Sequence, residues 1–77
     1  MDYKERLIQE RNELEEKCKK LENMLYKYSD GTLDFNPNCS YELLHEQYVY
    51  MMNYLSILSY RVQMEVPYHV IWNNRTS

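Results

Sequence analysis

Two arginines occupy positions where packing alone would put a hydrophobe. Arg11 fills the gap in an apolar series at Leu7, Leu14, Cys18, Leu21, Leu25 and Tyr28. Arg61 closes a stripe formed by Leu43, Gln47, Tyr50, Tyr54 and Ile57. A guanidinium presents a planar fork of donors that matches carboxylate or phosphate oxygens two at a time. The same chain carries nine tyrosines in 77 residues, well above ordinary usage. Two uses are open for these groups. In one, the tyrosines pack into an interface, giving large area at small entropic cost, and each arginine ion-pairs with a glutamate of a facing helix. In the other, rings stack on nucleotide bases, each stack contributing roughly 1–3 kcal/mol, and the cations hold phosphate.

Other chemistries lack their residues. No serine or cysteine sits in a nucleophile elbow, so no enzyme is expected. Gly31 is the only glycine, which excludes a glycine-rich phosphate loop. His45 and His69 stand at no ligand spacing from Cys18 and Cys39, so neither metal nor cofactor is expected and both thiols are read as free. The net charge of −3 argues against a DNA or RNA polymer, which selects a basic face. No apolar run approaches the roughly 20 residues of a membrane span. The chain is charged from Asp2 onward and shows no apolar leader, so it is expected in the cytoplasm, and the glycosylation patterns at Asn38 and Asn74 are read as incidental.

The elements that must carry these residues are helices. "DYKE" offers Asp2 as an N-cap with Glu5 three residues later, a capping-box pattern. The apolar steps of seven, four, three, four and three that follow trace a coiled-coil seam. Glu13–Lys17, Glu15–Lys19 and Glu16–Lys20 are spaced for outer-face ion pairs. This first helix should cover about 2–29 and stop where Gly31 can supply a left-handed cap. A loop over 30–38 follows, rich in Asp and Asn, with Leu33 and Phe35 expected to fold back onto the helices. The second helix should cover about 39–65, capped near Asn38 to Ser40 and ended by Pro67.

The second helix has two apolar stripes. Leu44, Tyr48, Met51, Leu55, Leu58 and Val62 form the seam that pairs with the first helix. The stripe ending in Arg61 lies beside it, widened by Met52. A single hairpin buries only one of the two, so the other must face another subunit or a ligand. The expected architecture is an all-α antiparallel two-helix hairpin over 1–66, assembled into a helical oligomer, with an extended tail over 67–77 built on "PYHVIW". Size points the same way: so short a chain buries only roughly 60% of its unfolded surface and usually needs added support.

"YKERLIQERNELEEKCKKLENML", a loop, and "LLHEQYVYMMNYLSILSYRV" together resemble the phage helical-hairpin "sponge" proteins, anti-CBASS and anti-Thoeris, that sequester cyclic nucleotide immune signals. The first-helix pattern runs through Glu5, Arg6, Glu10, Leu14, Lys17 and Leu21. The second runs through Leu43, Leu44, Gln47, Met51, Tyr54, Leu58 and Arg61. The resemblance covers Tyr3 to Val62 and implies a compact homo-oligomer, a hexamer built as a trimer of dimers. It implies a cyclic dinucleotide, cyclic trinucleotide or cyclised ADP-ribose partner, held between subunits and not cleaved, in the cytoplasm of the host bacterium. It assigns Tyr3 and Lys17 to a dinucleotide pocket and Arg61 to a separate trinucleotide pocket. Arg11 and Tyr54 join these as ligand-binding candidates. The sequence departs from the pattern in a longer loop and in the "PYHVIW" tail. The competing reading is a non-enzymatic oligomeric module that docks a host or virion protein through the same tyrosine and methionine surface.

Overall fold

Asp2 does what its place before the first apolar residue demands. Its carboxylate accepts from the Glu5 backbone N–H at 2.8 Å, and the Glu5 side chain accepts from the Asp2 N–H at 3.2 Å. This reciprocal capping box satisfies donors that a helix start leaves free. It opens α1, Tyr3–Asp30. The computed structural model describes residues 2–66; the expectations for the Pro67–Trp72 tail lie outside them.

Gly31 ends α1 with φ 82° and ψ 12°, in the left-handed region, and the chain doubles back there. The Thr32 and Leu33 N–H groups both donate to the Lys27 carbonyl, at 2.9 and 3.2 Å. The Asp30 carboxylate takes the Thr32 hydroxyl at 2.6 Å, which fixes the loop exit. Ser40 then caps α2, Tyr41–Glu65, through its hydroxyl and the Leu43 N–H at 3.1 Å. Among the described residues there is no strand.

The two helices pack antiparallel in a body of 43 × 25 × 20 Å. The core is the seam read from the sequence. Leu7, Leu14 and Cys18 of α1 close on Leu58 and Val62 of α2, with Tyr48, Met51 and Leu55 packed against them. Leu58 is completely enclosed. Leu25 carries the seam toward the loop, where Leu33 is half-buried. Phe35 corrects the expectation that both loop anchors fold back, for the residue is 54% exposed.

The outer-face ion pairs also differ from expectation. Glu15 turns to Arg11 at 3.2 Å and Glu13 accepts from Gln9 at 3.0 Å, and Arg11–Glu15 is the one ion pair among the described residues. Exposed lysine–glutamate pairs gain too little against side-chain entropy to hold one geometry. Cys18 and Cys39 are free thiols, the first buried and the second exposed.

Candidate functional site

An antiparallel pairing brings the first residue of α1 beside the last turns of α2. The Arg61 guanidinium donates to the Tyr3 phenol oxygen at 2.7 Å. Seven residues further along α1, and seven back along α2, the Tyr54 hydroxyl donates to the Glu10 carboxylate. Both contacts lie on one edge of the hairpin, because a seven-residue step returns to the same helix face. Lys17 of α1 and Gln47 of α2 are the next residues of the same two seven-residue series. Arg61, Tyr54 and Lys17 are all exposed.

Arg11 belongs to the other edge. Its Nε donates to the Ser59 hydroxyl at 3.0 Å, and its Nη1 donates to Asn12 at 2.9 Å and to Glu15 at 3.2 Å. Only 12% of its side chain is accessible. On the same edge the Tyr48 hydroxyl donates to Glu22 at 3.3 Å. Neither of the interhelical ion pairs that the packing reading allows is present among the described residues. Arg11 meets a serine across the interface and finds its carboxylate on its own helix, while Arg61 meets a phenol. The physical cause is reach: Glu15 lies one turn from Arg11 on the same face, and Tyr3 is the residue that the register delivers to Arg61.

Electrostatics tie the Tyr3–Arg61 edge together. The hydrogen bond to Tyr3 pushes the Arg61 guanidinium above its ordinary value, with Glu10 adding to the effect. The hydrogen bond to Glu10 raises the Tyr54 phenol, opposed in part by the charge of Arg61. On the far edge, burial raises Tyr48, and Glu22 adds to it. Glu10 is the residue to which sequence reasoning gave no role at the site. It was visible only as a member of the first-helix motif, and the antiparallel register is what brings it to Tyr54.

Beside this edge the second stripe of α2 lies open. Leu43, Tyr50 and Ile57 are 55%, 66% and 56% exposed. A groove of ≈ 630 Å³ runs along it, lined by Leu43, Glu46, Gln47, Tyr50, Met51 and Tyr54. The arrangement can hold a flat apolar or aromatic group against Tyr50 and Tyr54, with the Gln47 amide at hand. It offers no nucleophile paired with a base, and among the described residues no group of side chains is placed to hold a metal ion. No described helix is long and apolar enough to cross a membrane.

Taken together, fold and site define a small all-α helical hairpin that presents a polar edge and an uncovered apolar stripe. The Sequestin family profile matches residues 1–64, and the chain belongs to the Sequestin family. That membership accords with the resemblance to signal-sequestering proteins and points to a binding protein. No curated protein and no solved structure matches the chain.

Proposed function

We propose that the protein binds and sequesters a cyclic nucleotide second messenger of bacterial anti-phage signalling, without cleaving it, as a phage immune-evasion protein. The observation that carries this reading is membership in the Sequestin family over residues 1–64; Tyr3 and Arg61, which the resemblance assigns to separate pockets, are hydrogen-bonded to each other in the single hairpin. Tyr3 stacks on a base, Lys17 neutralises phosphate, and Arg61, with four of its five N–H donors beyond the Tyr3 bond, takes phosphate or a base edge. Tyr54 lines the neighbouring groove. Arg11 has its donors engaged by Ser59, Asn12 and Glu15, and its part is to hold the hairpin closed.

Helix geometry constrains the pocket. Tyr3 and Lys17 are separated by about 21 Å along α1 at 1.5 Å per residue. One small ligand touching both must therefore take them from two chains, and the uncovered α2 stripe supplies a surface for that assembly, a homo-oligomer of hexameric form in this reading. Sequestration of this kind needs affinity and stoichiometry, not turnover.

The test is calorimetry against a panel of cyclic dinucleotides, cyclic trinucleotides and cyclised ADP-ribose. One of them binds with sub-micromolar affinity and is recovered intact after denaturation; no heat from any of them refutes the reading, and hydrolysed ligand refutes its non-catalytic half. Mixing Tyr3→Ala with Lys17→Ala subunits tests the two-chain pocket. Pockets that draw the two residues from different chains regain binding in roughly a quarter of sites, the product of two even chances. A mixture as inactive as its components overturns that geometry. If the Lys17→Ala, Arg61→Ala double variant still docks a protein partner, the surface serves an interaction module instead.

A further inference from the structure

Glu10 is the only acidic group hydrogen-bonded into the Tyr3–Arg61 edge among the described residues. Its position is set on two sides. Along α1 it lies two turns from Tyr3, and across the hairpin it accepts the Tyr54 hydroxyl. Arg61 sits on α2 at the same two-turn distance from Tyr54, so the Glu10 carboxylate and the Arg61 guanidinium face the same stretch of edge, about 10 Å of helix. An exposed guanidinium alone attracts any phosphate. A carboxylate held two turns away on the same edge repels a bare polyanion and accepts hydrogen bonds from an amino or hydroxyl group.

We propose that Glu10 is the specificity-determining residue of this edge: it lowers the affinity of Arg61 for simple polyanions and favours a ligand that presents an N–H or O–H donor next to its phosphate. The ligand class is thus a phosphorylated molecule with a free amino or hydroxyl group, as on a nucleotide base or ribose, rather than inorganic phosphate or pyrophosphate. The inference deepens the proposed function and rests on it for the identity of the ligand, but the repulsion itself is independent of that reading. Tyr54 contributes by fixing the carboxylate, since a phenol donating to one oxygen restricts the rotamers of Glu10.

Two probes separate the two claims. The first is inorganic pyrophosphate at low salt, followed by NMR on the full chain. Glu10→Gln keeps an oxygen for the Tyr54 hydroxyl and removes only the charge. Removing a unit charge roughly 8–10 Å away at an effective dielectric of about 40 raises the affinity for a monovalent anion by about fivefold, and more for a multiply charged one at low salt. The Glu10→Gln protein therefore binds pyrophosphate more tightly than the wild type by about fivefold or more, and the gain disappears in Glu10→Gln, Arg61→Ala. Tyr54→Phe, which retains the carboxylate, gives no such gain. Equal pyrophosphate affinity in wild type and Glu10→Gln overturns the proposal, whatever the protein sequesters. The second probe is the cyclic nucleotide that binds best in the calorimetric panel. Its advantage over pyrophosphate shrinks in Glu10→Gln; an unchanged ratio overturns the specificity claim, whereas a wild type that binds no cyclic nucleotide overturns the proposed function alone.

Discussion

Adjacent residues on α2 separate hairpin stability from assembly. Leu58 is 0% exposed and Ile57 is 56% exposed. Leu58→Ala empties a site enclosed by Leu7, Leu14, Cys18 and Val62, and such core truncations cost about 2–5 kcal/mol. Ile57→Ala removes three carbons, or roughly 2.4 kcal/mol at full burial. With under half of the side chain covered in the single hairpin, the cost there is about 1 kcal/mol. If a second subunit covers the stripe, the cost rises to about 2–3 kcal/mol and depends on protein concentration, because dilution releases the interface. The assay is urea unfolding followed by circular dichroism at widely separated protein concentrations. Assembly through this stripe predicts a wild-type midpoint that climbs with concentration and an Ile57→Ala penalty that grows with it. Leu58→Ala lowers stability at every concentration. The reasoning is refuted if the wild-type midpoint is independent of concentration and Ile57→Ala costs about 1 kcal/mol throughout.

Gly31→Ala should destabilise by about 1–2 kcal/mol; nothing lies within 4 Å of an added Cβ, so the cost is the φ of +82° alone, and an unchanged urea midpoint would contradict it. Tyr54 ionises later than a free tyrosine because Glu10 accepts its proton-bearing hydroxyl. The folded state therefore holds this proton more tightly than the unfolded chain does. That stabilisation is complete below the ordinary tyrosine range near pH 10 and is lost as pH rises through the higher folded value. Ultraviolet titration of Tyr54→Phe should lack one of the late-ionising phenols; loss of an ordinary one instead would show that the bond is absent. Cys39 should react quickly with a thiol reagent and Cys18 only on opening of the hairpin, since Cys18 is buried and its thiol is raised by burial and by the charges of Glu15 and Glu22; equal rates would refute the packing.

The helices were legible because each is specified locally. Asp2 with Glu5, Gly31, and Ser40 with the Leu43 N–H are caps made by residues within a turn of the helix ends they close. The seam was legible for a related reason: a seven-residue apolar repeat has one face, and that face is the core whatever the partner. The second stripe was equally plain, since a hairpin cannot bury both, and Leu43, Tyr50 and Ile57 are indeed exposed. Phe35 was misread because an irregular loop has no period, so nothing local states which of Leu33 and Phe35 points inward.

The edges of the hairpin are where local reading runs out. Arg11 and Arg61 present the same signal in sequence, a cation interrupting an apolar stripe. Their surroundings differ because residues seven apart on α1 meet residues seven apart on α2 in reverse order, and the offset between the two series is set by the loop and by core packing. One offset pairs Tyr3 with Arg61 and Glu10 with Tyr54. The opposite edge pairs Arg11 with Ser59 and Glu22 with Tyr48. Slipping the offset by one turn would part Tyr3 from Arg61 while leaving every helix and both stripes intact. The loop therefore bears on the site through register, even though it lies at the other end of the hairpin from Arg61. The half-buried Leu33 and the twin bonds to the Lys27 carbonyl tie the loop to α1, and they are the contacts through which loop length acts on the offset that assembles Tyr3, Glu10, Tyr54 and Arg61.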